Sequence, residues 1–522
     1  MIDLSSRRTS WRLPGVLHLV LAAVVVLPVL ELIRVGHAAG RQRPDGVAAT
    51  SVSPRPWETA IRQHVYFAAP SGRYGNTGSA AQPLDLASAL SARGPVRPGD
   101  VLWLRAGTYR GNFTSKLAGT AEAMIVVAEF PGERAILDGG AEPSKPVLRV
   151  DGAYTVYWGF EVTNSAPALA GHVRGTGVDV FGAYTKFINL IVHHTGNGMG
   201  VWTPALEAEL YGNLIADAGW EDEDRGHGHS IYIQNDKLTK RVVDNVLFDG
   251  HSYGVHAFTQ VGQINNLYFE GNIAFDHGTR SRVSGPKANF LVGGHQSAMH
   301  PVLASNYGYY SWSSAGRNAD IGYINGCSDA RIQDNYLAGG TAVVLTRCSD
   351  VTMHGNRFIG QVAEATAFHF PDNDYRDTRP GSGRIFVRPN HYERGRGHIA
   401  IYNWDRRPQV RVDLSGLGLR VGEAFEIRDV RNYFGPPLLA ATYSVPSVDV
   451  PLANMTRSPD DGAAAAMPPE FGVAVVLPVD RDTTYGPPWN PAGGAARWWQ
   501  QTAAATLGES DGDSPVSTRR HE

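Results

Sequence analysis

Short runs in which apolar and polar residues alternate recur through the middle of the chain, as in GVDVF (177–181), HSIYIQN (229–235) and YGVHAF (253–258). Period-2 alternation over so few residues predicts β-strands with one buried face. Between them a second element repeats, a small or polar residue followed by Asn and then apolar residues. It reads INLIV (188–192), GNLIA (212–216), DNVLF (244–248), GNIAF (271–275), SNYGY (305–309), DNYLA (334–338) and GNRFI (355–359). The asparagines, Asn189, Asn213, Asn245, Asn272, Asn306, Asn335 and Asn356, stand 21 to 34 residues apart. Asparagine tolerates left-handed backbone and bonds neighbouring peptides, so it suits one fixed corner of every turn. A period of this size with strands and no 3.6-residue pattern predicts a solenoid of β coils.

NGCSDARIQDN and TRCSDVTMHGN align without a gap, which sets Cys327 and Cys348 one coil apart. Stacked strands lie ~4.8 Å apart, inside the Cα separation a disulfide accepts. The pair reads equally as a disulfide or as two buried thiols of an internal stack. From about residue 383 the repeat stops. GRIFVRPNHYERGRGHIAIYNWD (383–405), EAFEIRDV (423–430) and FGVAVVLPV (471–479) predict strands joined by hairpin-type turns. After about 481 the chain is rich in Pro, Ala, Gly and acids, and is expected to be disordered.

Composition narrows the function. Charged residues are 19% of the 522, and the formal net charge is −3. That lacks the basic footprint of a nucleic-acid binder, so no nucleic-acid partner is expected. SSRRTSWR precedes a nearly apolar Val16–Ile33 stretch, a pattern of a signal peptide or an uncleaved signal anchor. The expected organisation is a signal segment at 1–40 and a linker at 41–60. A β-helix with an N-terminal cap follows at 61–380, then a β-sandwich at 381–480 and a tail at 481–522. The protein is expected to be exported to the periplasm, cell surface or medium, as a monomer, with membrane attachment if the N-terminal segment is retained.

VYFAAPSGRYGNTGSAAQPLDLASAL (65–90), RPGDVLWLRAGTYRGNF (97–113) and IVVAEFPGERAILDG (125–139) lead into the repeat. Together with the Asn elements they resemble the right-handed parallel β-helix superfamily. That superfamily includes pectate, alginate and chondroitin lyases and mannuronan epimerases. The resemblance covers roughly 65–375. It implies an all-β chain, a right-handed pectin lyase-like solenoid followed by a small antiparallel β-sandwich, and an extended polysaccharide as partner. The sandwich resembles modules appended to glycosidases, and it is expected to cover the open end of the helix.

Aligning GMGVWTPA (198–205), HSIYIQN and SYGVHAF puts Val201, Ile231 and Val255 on the core side. Trp202, Tyr232 and His256 then share the outer side, with Asp179 one coil earlier. The loops before these strands carry Asp222, Asp224, Arg225, His227, His229, His251, Asp276, His277, Arg280, Arg282 and Lys287. Asp224, Arg225, His227, His229, Tyr232, His256 and Asp276 are the catalytic candidates. Asp179, Trp202, His251, His277, Arg280, Arg282 and Lys287 are the substrate-binding ones. Any one of these reads singly as loop polarity or packing; their convergence reads as a site.

Removing a proton beside a uronate carboxylate needs a base, an acid, and a cation for the developing charge. Histidine or Tyr232 can serve as base or acid, and Arg or Lys can pair with the carboxylate. A lyase or C5-epimerase on a uronic-acid polymer is therefore the leading expectation. A glycoside hydrolase, using Asp179, Asp222, Asp224 or Asp276 as its two carboxylates, is the first alternative. A non-catalytic polysaccharide-binding protein is the second. GHG (226–228) resembles the polygalacturonase motif, but the Asn-Thr-Asp and Arg-Ile-Lys that accompany it are absent, as is the Asp-Pro-His of the epimerases. The sequence identifies no cofactor outright. The EDED run is compatible with Ca2+, and HQSAMH (295–300) lacks the ligand spacing of a zinc site.

Overall fold

A computed structural model describes residues 64–167, 171–282, 287–457 and 467–479. The N-terminal segment at 1–40, the linker at 41–60 and the tail at 481–522 lie outside the described residues. The described residues belong to one compact unit. Among them no helix is long and apolar enough to cross a membrane.

The chain forms a parallel β-helix. One face is an 11-stranded parallel sheet running from Val65–Ala68 to Thr352–His354. A 19-stranded sheet supplies the other two faces. In a typical coil, Lys240–Val243 lies on the first face, Val246–Phe248 on the second and Val255–Ala257 on the third. The pairings between coils are parallel, for example Val246↔Ile273 and Val255↔Phe290, and in register except where Tyr336–Leu345 meets Arg357–Val362 with two register shifts. Inward residues stack as aliphatic columns: Val178, Met199, Ile231, Val255 and Phe290 are all fully buried. A short helix, Leu86–Ala89, capped by Asp85 Oδ1 accepting from Ser88 N (2.9 Å), buries Leu86 and Ala89 against the first coils.

The corner between the first and second faces is an asparagine ladder. Asn213, Asn245, Asn272, Asn306, Asn335 and Asn356 each direct both their backbone N–H and their side-chain Nδ2 at the Oδ1 of the next Asn, at 2.7–3.0 Å. Each Nδ2 also donates to a strand carbonyl, as Asn272 does to Val242 O (2.8 Å). Two expectations are corrected. The left-handed residue is the one before each ladder Asn: Gly212, Asp244, Gly271, Ser305, Asp334 and Gly355 all have φ between 53° and 68°. Asn189 is also off the ladder. It occupies the left-handed position (φ 54°), Leu190 takes the stacked one, and Asn373 extends the ladder at the far end.

The C-terminal strands form a five-stranded antiparallel sheet (Arg384–Pro389, Gly397–Tyr402, Phe471–Val479, Ala424–Asp429, Leu439–Thr442). It is faced by the pair Gln409–Asp413 and Ser447–Pro451. This sandwich does not cover the open end of the helix. It lies along the second face, where Phe471 stacks on Tyr309 (4.4 Å between centroids) and meets Phe275 edge-on (5.2 Å). Tyr402 Oη donates to the Gly308 and Tyr336 carbonyls. The reason is chemical. Outward positions of that face are apolar, with Leu214, Val246, Phe248, Ile273, Tyr307 and Tyr336 all buried beneath the sandwich. Cys327 and Cys348 are bonded across adjacent coils, with Cα atoms 4.4 Å apart.

Replacing Asn272 by Ala removes the donor to the Val242 carbonyl and the acceptor of the Asn245 backbone N–H. At about 1–3 kcal/mol for each buried group left unpaired, Asn272→Ala is expected to lose at least about 3 kcal/mol in urea unfolding. A loss below about 1 kcal/mol would show that the ladder is not a stability element.

Candidate functional site

The third face carries the site. Strand register aligns Asp179, Gly200, Tyr232, His256, Leu291 and Asp320 in one outward column. Two residues on, past the strand ends, Phe181, Trp202, Gln234 and Phe258 form a second. Trp202 therefore belongs to the second column, and Val201 pairs with Ile233, where Ile231 was expected. Gly200 explains how Trp202 still reaches the first column. A Cβ at Gly200 would lie 2.7 Å from Asp179 Oδ1. The bare backbone lets the indole fold back, and Trp202 Nε1 donates to Asp179 Oδ1 (2.6 Å).

The two columns form an aromatic row across several coils. Phe181 stacks on Trp202 (6.0 Å), and Trp202 meets Tyr232 (5.3 Å). Tyr232 meets His256 (5.5 Å), His256 stacks on Phe258 (4.8 Å), and Phe258 approaches Tyr323 (6.5 Å). Tyr253 lies against both His229 (5.5 Å) and His256 (4.8 Å). Tyr253, Phe258 and Tyr323 were not among the sequence candidates. The column arithmetic that found Tyr232 finds Phe258 two residues beyond His256, whereas Tyr253 and Tyr323 come from loops with no alternation to mark them.

At the centre, the Tyr253 backbone N–H donates to His229 Nδ1 (3.4 Å). Neutral His229 then carries its proton on Nε2 and donates it to His256 Nδ1 (2.9 Å). His256 consequently holds its proton on Nε2. Burial, with the Arg225 charge adding to it, pushes His256 down to about 3. Burial and the neighbouring His256, Lys287 and Arg225 hold His229 well below the usual imidazole value. Both rings are neutral at physiological pH. Tyr232 Oη accepts from Gln234 Nε2 (3.1 Å), and burial raises its phenol. Lys287 is 9% exposed, with Nζ 5.8 Å from the centre of the Tyr253 ring. Burial, then Arg225, lower its ammonium pKa.

The opening EDED stretch is a rim. Trp220–Glu221 pairs with Gly226–His227 in a small antiparallel hairpin, and Trp220 stacks on His227 (5.2 Å). His227 Nε2 bonds Asp224 Oδ1 (2.7 Å), and Arg225 sits at the exposed tip. The hairpin is stitched to the next loop: Gly226 N donates to Ser281 Oγ (3.1 Å), and the Arg282 backbone N–H donates to Glu221 Oε1 (3.1 Å). Asp222, Asp224 and His227 bring three ligand atoms within 4.8 Å of one another. Two carboxylates and an imidazole do not supply the six to eight oxygens Ca2+ takes, so these residues do not fit the calcium that the acidic run suggested.

Four candidates fall elsewhere, each for a stated reason. Asp276 is fully buried and salt-bridged to Arg431 of the sandwich. Arg280 turns to Asp217 and Asp249, away from the row. His277 is interior: it accepts from Ser230 Oγ at Nε2 and donates from Nδ1 to Asn289 Oδ1 (both 2.9 Å), and burial takes it down to about 4. His251 lies under the hairpin against Gly219, also pushed down to about 4 by burial and Arg280.

No protein-family model matches the chain, and no curated protein matches its sequence. Solved structures do. The chain is similar to pectate lyase Pel9A at 17% identity and TM-score 0.41, over 58% of this chain and 82% of the other. A rhamnogalacturonan lyase matches at 15% and TM-score 0.42, over 56% and 87%. An alginate lyase from Paenibacillus sp. str. FPU-7 matches at 17% and TM-score 0.38, over 60% and 98%.

Because the folded pKa of His256 lies below its unfolded value, the unfolded state binds the extra proton between pH 6.5 and about 3. Its contribution to stability is present above pH 6.5 and is lost as pH falls through that window. Relative to His256→Phe, the wild type should lose up to about 1.4 kcal/mol per pH unit between pH 6 and 4 in urea unfolding. In imidazole 15N spectra His256 should remain the neutral Nε2–H tautomer at pH 5. Titration near 6.5 would refute the assignment.

Proposed function

We propose that the protein is an exported polysaccharide-processing enzyme acting on a uronic-acid-containing polymer by β-elimination or C5 epimerisation. The observation that carries this is the composition of the site's centre. Neutral imidazoles, two phenols, a buried lysine and a guanidinium converge midway along an aromatic row that runs over several coils.

The roles follow from the proton positions. Arg225 pairs with the uronate carboxylate. His256, expected as base or acid, carries its proton on Nε2 and so acts as a neutral donor to the charge that builds on the carboxylate during proton removal. Lys287 is the base: its lowered pKa gives a larger neutral fraction than an ordinary lysine has. It takes the proton from the carbon bearing the carboxylate. The electron pair left behind becomes the ring double bond as the β carbon–oxygen bond breaks, and the leaving oxygen takes the Tyr232 hydroxyl proton. Tyr232 suits this, since its oxygen already accepts from Gln234 and its own proton is left to donate. Return of a proton to the opposite face, with no bond broken, gives epimerisation.

A hydrolase needs two carboxylates flanking the bond. Asp217, Asp249 and Asp276 are engaged by Arg280 and Arg431. That leaves Asp179, bonded by Trp202, on the row and Asp222 and Asp224, the latter bonded by His227, together on the rim hairpin, so we take elimination as the better supported chemistry.

Incubation with uronate polymers should produce ultraviolet-absorbing unsaturated ends together with new reducing ends, or, for an epimerase, an altered uronate ratio by NMR. Lys287→Met should lower kcat by about 10²–10⁴. The rate should rise with pH as Lys287 loses its proton, and Lys287→Arg should abolish that rise. A profile flat from pH 5 to 10 would shift the base to a histidine. Reducing ends without absorbance would favour hydrolysis, and binding without turnover would favour the non-catalytic reading.

A further inference from the structure

The reacting centre stands inside the aromatic row, not at its end. Strand register places Phe181, Trp202, Gln234, Phe258, Gly293 and Gly322 on successive coils. Five steps of ~4.8 Å make the row ~24 Å long. Tyr232 and His256 belong to its third and fourth coils, so two coils remain on either side. Both flanks carry rings. Phe181 and Trp202, each half-buried, lie on one side. On the other side the strand is bare at Gly293 and Gly294. A Cβ at Gly294 would stand 3.0 Å from Phe258 Cδ2, so its absence lets the Phe258 ring lie against the backbone. Half-buried Tyr323 follows, 6.5 Å from Phe258. The face also continues past both ends of the row. Beyond Phe181 the register runs to Asp151 and then Lys116, both exposed. Beyond Gly322 it runs to half-buried Thr346, next to exposed Arg347. None of these four is buried, so among the described residues no element closes over the face at either end.

An enzyme that works from a chain end needs a wall that stops the polymer a unit or two past the reacting bond. A row open at both ends lets the polymer run through. Resting on the elimination reading above, we propose that the enzyme binds an internal stretch of its polymer along the helix axis and acts within the chain, not from its ends. Units on one side of the reacting bond stack on Trp202 and Phe181, and units on the other side on Phe258 and Tyr323. Rings suit both flanks because they bind the apolar face of a sugar whatever charge its edge carries.

The test incubates the full chain with polygalacturonate, polymannuronate and hyaluronan and follows viscosity against new ultraviolet-absorbing ends. Viscosity should fall steeply while few bonds are broken, and early products should be mixed in length. On oligomers of the polymer that turns over, kcat/KM should rise with length to about five units, one for each ring of the row, and then level off. Phe181→Ala and Tyr323→Ala should each lower kcat/KM on hexamers by about two- to tenfold more than on trimers, because a trimer at the centre does not reach both flanks. Mono- or disaccharides released from the outset with viscosity little changed, or a length dependence that ends at two or three units, would overturn the internal mode while leaving elimination intact. Where inversion replaces cleavage, inverted units confined to chain ends by NMR would overturn it in the same way. Absence of turnover on all three polymers would overturn the elimination reading and the internal mode with it.

Discussion

Everything in this molecule hangs on one hydrogen bond made over and over: the carboxamide oxygen of one asparagine taking both N–H groups of the asparagine below it. A corner in a solenoid must turn the chain while leaving no backbone group unpaired in the interior. Asn meets both demands because its side chain is itself an amide. The residue before it takes the left-handed conformation, and Asn closes the polar account of the corner. With that corner fixed, each strand pair is in register, and the inward aliphatic columns follow from alternation alone.

The same regularity sets where variation is tolerated. The corner between the first and second faces is rigid, so length differences collect between the second and third faces. There the connections grow from His194–Gly198 to the hairpin of 217–230, and the next but one begins at Asp276. Each of these loops opens on a left-handed residue in one column: His194, Asp217, Asp249 and Asp276, with φ of 50–56°. Three stacked carboxylates would repel one another. Arg280 from a loop and Arg431 from the sandwich hold them, Arg431 gripping Asp249 through two nitrogens (3.0 and 2.8 Å) and reaching Asp276 as well. The sandwich thus sits behind the loops that shape the site. Removing one partner of so buried a network is costly because a charge is left unpaired, so module and loops are energetically one structure.

Much of this was legible in the sequence, and the limits are physical. The repeat and the outward placement of Asp179, Tyr232 and His256 follow from the Asn spacing and period-2 alternation, while the parallel β-helix came from the resemblance and the three faces of each coil from the structure. The errors share a cause. Trp202 was set one pair out of register because Gly200 has no side chain to declare its face. Asn189 looks like a ladder residue until Leu190 is seen to donate its N–H to Asn213 Oδ1. Asp276 and Arg280 resemble site residues because their loop is polar, yet their partners lie 155 residues away at Arg431 and 63 residues away at Asp217. No local pattern encodes such a pairing. The sandwich was misplaced for a related reason: Phe248 and Tyr309 belong to the repeat elements DNVLF and SNYGY, and nothing local shows that their outward side chains are the docking surface.

What the fold does to the central side chains is uniform, and that uniformity argues for chemistry over simple binding. Desolvation disfavours whichever form carries charge. It pushes His229, His256 and Lys287 toward neutrality and keeps the Tyr232 and Tyr253 phenols protonated. A surface evolved only to hold an anionic polymer gains nothing by suppressing its own cations; it would hold them in water, fully charged. Here the strong cation, Arg225, is left at the exposed hairpin tip, while the groups beneath it are kept in the states that exchange protons. A buried amine whose pKa is lowered is a poorer anchor for a carboxylate and a better base. The neutral imidazole beside it donates without first having to be protonated. On the proposed reading, such a site gives up affinity at its centre and recovers it along the flanking aromatic row, where rings on successive coils can stack on a sugar without charge.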